Sequence, residues 1–365
     1  MMTSALALAD NSPYIARVYD YLPAPAQFVN VYPAYKRGYT LDSILVQLQG
    51  ALVGKTNATV SLGSYGGYIV VGFDHPVINR HDYDVKIYGN AIQSNAVTDM
   101  SGGSCEPGII MVGVDADGDG VPSDDDPWYE IKGSYYDRSQ HGYEITYYKP
   151  DEDKPRVPHE SWKFITDTEY VRWTSNDANP DSTSGYVWRN SFHNANSYWP
   201  LWIEDTVLTF RGTKLPSTAI DMSGGNGNNW FQPFLGEGYV DNLPNAQEPG
   251  FKIDWAIDEQ GNPVILDHID FIKVYTGQLA YCGWLGETST EIAGAEDLHP
   301  QATAFKRGDV NKDSKVDVAD VSALISYILG REVTGFDLAA AHMNVDGKID
   351  VADVSLMINV ILGNQ

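Results

Sequence analysis

Asp309-Val-Asn-Lys-Asp-Ser-Lys-Val-Asp-Val-Ala-Asp-Val-Ser322 recurs as His342-Met-Asn-Val-Asp-Gly-Lys-Ile-Asp-Val-Ala-Asp-Val-Ser355, at an offset of 33 residues. Each copy runs into an apolar stretch with helical period, Val321–Leu329 and Val354–Leu362, and a glycine follows each as C-cap, Gly330 and Gly363. The repeat predicts two loop-helix units in residues 308–365, a small all-α region with its own grammar.

The loops carry oxygen donors at the spacing a hard cation needs. Calcium takes about six to eight oxygens, and a twelve-residue loop supplies them from positions 1, 3, 5, 7, 9 and 12. In the first copy these are Asp309, Asn311, Asp313, the backbone carbonyl of Lys315, Asp317 and Asp320. In the second they are His342, Asn344, Asp346, the carbonyl of Lys348, Asp350 and Asp353. Each copy departs once from the template. Ser314 stands at position 6, where the turn favours glycine. His342 replaces the first carboxylate with an imidazole, a poor ligand for a hard cation. The second loop is therefore expected to bind more weakly.

A third acidic stretch, Asp115-Ala-Asp-Gly-Asp-Gly-Val-Pro-Ser-Asp-Asp-Asp126, fits the same template, with Asp115, Asp117 and Asp119 at positions 1, 3 and 5, Gly120 at 6 and Asp126 at 12. Strand-like runs flank it, so the expectation is a calcium ion pinning a hairpin tip. Six Asp in twelve residues repel one another without a counter-ion.

Before residue 300 the pattern changes. Of the aromatic residues only Phe305, Tyr327 and Phe336 lie beyond that point. Short Val/Ile/Tyr runs bounded by Gly, Asn, Asp and Pro read as strands: Tyr68–Phe73, Tyr83–Tyr88, Ile109–Val114, Trp128–Lys132, Tyr143–Tyr148, Thr206–Phe210 and Ile269–Tyr275. No helical period alternates with them, which argues for an antiparallel β-sandwich or jelly roll. One helix is expected, Leu41–Leu52, with Thr40 as N-cap. The expected division is a leader or signal-peptide remnant at 1–9, a β-sandwich ligand-binding domain at 10–300, a linker at 301–307 and the calcium-binding domain at 308–365.

Composition excludes some functions. Lys and Arg total 24 against 49 Asp and Glu, a formal net charge of −25, which argues against nucleic acid and anionic membrane surfaces. No run approaches the roughly 18 apolar residues of a transmembrane span. Cys105 and Cys282 allow one disulfide or two buried thiols. There is no GxSxG, HExxH, P-loop or GxGxxG motif, and the eight His show no metal-ligand spacing. A glycosidase needs only two carboxylates brought together in space. Glu287 with Glu291, or Glu204 with Asp205, would be such pairs, but surface acids are the leading expectation for both.

The aromatics point to binding. Trp199 and Trp202 lie in Tyr198-Trp-Pro-Leu-Trp202, and Trp230 with Phe231 follows the loop Gly224-Gly-Asn-Gly-Asn-Asn229. Loops on a rigid sandwich carry binding sites, and exposed aromatics stack on sugars or flat macrocycles. His193 and Tyr239 complete the candidate ligand set. A core position is the competing expectation for these side chains, above all for Trp199 and Trp202.

The paired loops, each with Asp at position 12 and a single following helix, resemble type I dockerin domains. That resemblance implies calcium binding and docking to a cohesin module of a scaffold protein through Val318 and Ala319 in one copy and Val351 and Ala352 in the other. Residues 10–300 resemble gut-bacterial cell-surface proteins, some of which bind cobalamin, through Ser61–His75, Tyr88-Gly-Asn-Ala91, Glu106–Ile109, Trp128–Ser134, Tyr198–Trp202, Ile269–Gly277 and Gly283–Glu287. Together the resemblances imply an extracellular or cell-surface protein, more a binder than an enzyme, with a small-molecule ligand of the corrinoid class. The alternative is a carbohydrate-active enzyme or carbohydrate-binding protein acting on polysaccharide.

Overall fold

The computed structural model describes residues 10–94, 100–194, 196–344 and 346–363. The leader proposed at 1–9 lies outside the described residues. The chain is mainly β, and its strand-to-strand ladders are antiparallel. A six-stranded sheet runs in the order Arg17–Leu22, Tyr68–Ile78, His268–Thr276, Gly108–Gly113, Trp128–Ile131 and Ala256–Ile257. A second sheet holds Ser184–Asn190, Ile165–Ser175, Gln140–Tyr148 and Val207–Lys214 in that order. A third carries four short strands, Ile220–Asp221, Trp230–Pro233, Gly102–Ser104 and Ile92–Gln93.

Period-two alternation decides what each strand buries. Ile110 and Val112 face one apolar cluster, which they share with Ile69, Val71, Ile272, Val274 and the buried side of helix α1 (Leu41–Leu52), namely Ile44, Leu48 and Leu52. Ile109 and Met111 face the opposite side, where Tyr275 meets Tyr143, Ile145, Tyr147, Leu208 and Phe210 of the second sheet. The six-stranded sheet is thus the shared layer between helix α1 and the second sheet. Helix α1 starts where its sequence indicates: the Thr40 N–H donates to Ser43 Oγ at 3.4 Å.

Residues 305–363 form a separate apolar cluster. Helices α2 (Val318–Ile328), α3 (Leu338–Ala341) and α4 (Val351–Ile361) enclose Val310, Leu324, Ala340, Ala341, Met343 and Met357. Polar groups tie this cluster to the β region. The Arg307 guanidinium reaches Asp267 at 2.7 Å, and the His342 ring stacks on His81 with centroids 4.3 Å apart. Cys105 and Cys282 are buried free thiols, each pushed up to about 12 chiefly by burial, so the disulfide alternative does not hold. Among the described residues no helix is long and apolar enough to cross a membrane.

Candidate functional site

The loop sequences that read alike also fold alike. In the first loop the N–H of Asp313 donates to Asn311 Oδ1, that of Lys315 to Asp313 Oδ1 and that of Asp317 to Asp320 Oδ2. The second loop repeats all three: Asp346 to Asn344, Lys348 to Asp346 and Asp350 to Asp353. The stretch 115–126, set between strands, repeats them again: Asp119 to Asp117, Val121 to Asp119 and Ser123 to Asp126. Backbone N–H groups thus turn the acidic side chains inward, and Asp115, Asp117 and Asp126 bring one oxygen each within 4.8 Å of one another.

Helix capping explains the spacing of the last two candidate ligands. Asp317 and Asp350 are the N-caps of α2 and α4, and Asp320 and Asp353 are their N3 residues. Each N-cap carboxylate accepts an N–H from the first helical turn, so the position 9 and 12 side chains are aimed before any cation arrives. Apart from His342, the donors these loops offer are hard oxygens, a set that fits calcium.

The departures at positions 6 and 1 have structural consequences. Ser314 adopts a left-handed backbone (φ 71°) where Gly347 (φ 73°) and Gly120 (φ 74°) stand in the other loops. Asp309 accepts the N–H groups of Asp313 and Ser314 and closes the first loop. Its counterpart His342 is turned onto His81, where burial and that neighbouring ring hold its pKa below the usual imidazole value. It gives the second loop no carboxylate.

A cleft of about 570 Å³ lies in the β region. Tyr32, Phe192 and Trp284 are exposed at its rim, with Phe28 and His193 packed edge to face at 4.5 Å. Its floor is acidic and includes Glu106, Glu287 and Glu291. Asp241 sits behind the floor in a left-handed conformation (φ 55°), accepting N–H groups from Asn90 at 2.7 Å and Glu291 at 3.0 Å. Gly89 permits that approach, because a Cβ there would lie 2.5 Å from Asp241 Oδ1. Glu106, Asp241 and Glu291 bring one oxygen each within 4.8 Å of one another. Burial raises the pKa of all three, and mutual charge reinforces it for Glu106 and Glu291. Burial likewise pushes Glu287 up to about 8, although Gln27 N–H donates to its Oε1 at 2.7 Å. Its Oε2 is buried without a partner.

Glu287 and Glu291 are therefore not the surface acids expected; each is 6% exposed. Glu204 and Asp205 are exposed. The aromatic candidates are redistributed. Trp199 is fully buried against the second sheet with Tyr239, whose hydroxyl accepts the Tyr135 N–H, and Trp202 packs on Tyr21 in the other cluster. Phe231 is 1% exposed. Trp230 is not on a free tip: it is half-buried, pairs in a strand with Asp221, and donates its indole N–H to Gly227. The preceding glycine loop is wrapped on the Asp221 carboxylate through Gly225 and Gly227. Of the six, His193 alone lines the cleft.

The sequence reading missed Glu106, Asp241, Phe28, Tyr32, Phe192 and Trp284. A usable signal was present for the acids. Glu291 stands within the apolar strand segment Glu291-Ile-Ala-Gly-Ala295 and Glu106 lies just before the apolar strand Gly108–Gly113, with no Lys or Arg beside either.

Residues 307–362 match the dockerin type I domain family. No curated protein matches the chain.

Proposed function

We propose that the chain is an extracellular, non-catalytic binding protein, held on a cohesin-bearing scaffold by a calcium-dependent dockerin at 308–365 and taking its ligand in the β region at 10–300, with 301–307 as linker. The match at residues 307–362 carries the docking half. Val318 and Val351 support it: at the starts of α2 and α4 they are 70% and 68% exposed, with Ala319 and Ala352 exposed beside them, apolar surface that a cohesin would cover. Calcium enters through the first loop, more weakly through the second, and through the loop at 115–126.

The cleft supports the ligand half. Carboxyl groups and the amides of Gln27, Asn90 and Gln232 line it, suited to a ligand rich in hydroxyls, and the aromatic rim offers faces for sugar rings. The carboxyl and amide groups on the floor favour a glycan over a corrinoid macrocycle. Calorimetric titration with an oligosaccharide panel and with cyanocobalamin tests the choice. Saturable heat with a glycan and none with cyanocobalamin is expected; visible colour co-eluting with the protein after desalting from cyanocobalamin would restore the corrinoid reading. Reducing-sugar release from a polysaccharide would replace binding by hydrolysis. A cohesin pull-down with and without chelator tests docking. Calcium titration tests the loops: two equal high-affinity sites in 308–365 would refute the ranking.

A further inference from the structure

We infer that a calcium site lies at and just behind the floor of the cleft, held by Glu106, Asp241 and Glu291, separate from the three Asp-rich loops. The three residues come from distant points of the chain, so their meeting is a product of the tertiary fold and not of an acidic run. One oxygen from each lies within 4.8 Å of the other two, a spread that oxygens about 2.3–2.6 Å from one cation can occupy.

The carboxylates are held in place from behind, as ligands usually are. Asp241 accepts backbone N–H groups on both oxygens. Glu291 accepts Asn90 Nδ2 at 3.1 Å and Ser289 Oγ at 3.0 Å. Among the described residues lining the cleft there is no Lys or Arg to pair with these carboxyl groups.

Glu287 gives an independent indication. It lines the same cleft, is 6% exposed, and leaves Oε2 buried without a hydrogen-bond partner. A buried carboxylate oxygen with no donor is unfavourable, a cost a cation or its bound ligand removes. The donors are all oxygen, which favours calcium over the softer metals that seek His or Cys.

Three carboxylates around one dication leave coordination positions facing the cleft. A ligand hydroxyl could bind the ion there; this last step rests on the glycan reading, while the metal site itself does not.

The test uses the full chain with the loops silenced by Asp126→Ala, Asp320→Ala and Asp353→Ala. Near-ultraviolet circular dichroism verifies that the β region is folded, and equilibrium dialysis against CaCl2 counts bound metal. One calcium per chain is expected to remain, and adding Glu291→Gln is expected to weaken it at least tenfold. Glu287→Gln, which leaves the three donors in place but removes the unpaired carboxylate beside them, is expected to keep the count at one with a smaller loss of affinity than Glu291→Gln. No retained calcium in the silenced chain overturns the proposal, as does retention unaffected by Glu291→Gln or loss in Glu287→Gln. If Glu291→Gln does not fold, Glu106→Gln replaces it with the same expected result. Glycan titration of the unmodified chain is read separately: calcium retained with no glycan bound refutes the ligand reading and leaves the metal site standing.

Discussion

Asp320 and Asp353 in the loops and Glu287 in the cleft are all nearly inaccessible to solvent, yet they are held in opposite ways. Each loop aspartate accepts two backbone N–H groups, one on each oxygen. Glu287 accepts one N–H on one oxygen and nothing on the other. The loops satisfy their carboxylates locally, through turns that the repeat itself encodes. The cleft leaves Glu287 incompletely satisfied, which suits a site that something else must complete.

Calcium removal probes that difference most strongly. Chelation should strip the loops of the charge that offsets their repulsion, abolish most ellipticity from α2 and α4, and weaken cohesin capture at least a hundredfold. Calorimetry should show the smaller transition, that of residues 305–363, collapsing while the larger one shifts less. Helices unaffected by chelator would erase the contrast.

Next comes pH. In the calcium-free chain the folded state raises the Glu287 carboxyl from an ordinary 4.5 to about 8 by burial. Its contribution to stability is therefore complete below about pH 4.5 and is lost as pH rises through about 8. Glu287→Gln cannot ionise. It should exceed the parent chain in stability at pH 8–9 by on the order of 4 kcal/mol and converge with it near pH 4.5. Melting scans across that range check the sign; identical slopes would mean that Glu287 finds a partner in solution.

Met357→Ala should cost about 3 kcal/mol and act on the helical transition alone, because Met357 is fully buried in a cluster that shares no buried residue with the β region. An equal shift of both transitions would show that the two regions unfold together. The smallest effect is expected at the loop turn. Ser314→Gly relieves a left-handed serine and should stabilise the calcium-bound helical region by about 1 kcal/mol, whereas Gly347→Ser should destabilise it by a similar amount.

Legibility in the sequence followed distance along the chain. The strands at 68–78, 108–113, 140–148 and 268–276 and helix α1 coincide with their alternating or helical patterns, because those patterns are local. The candidate donors of each loop could be proposed from sequence because one stretch of twelve residues contains them all. The places of the aromatic candidates could not. Trp199 and Trp202 are as apolar as Phe192 and Trp284, and only the packing of two sheets and a helix puts the first pair in the core and the second at a rim. Trp230 follows a glycine-rich loop in sequence, but Asp221 gathers that loop and a strand takes the tryptophan.

By itself the sequence determined that the region matching the dockerin family holds two loop-helix repeats and that most of the described remainder is antiparallel β, because donor spacing, capping and strand alternation act over a dozen residues or fewer. The tertiary structure alone decided where the β region gathers its cleft and buried acids. Glu106, Asp241, Glu287 and Glu291 become neighbours only when the strands around them pair, and a carboxylate's neighbours and burial, not its place in the chain, set what it can bind.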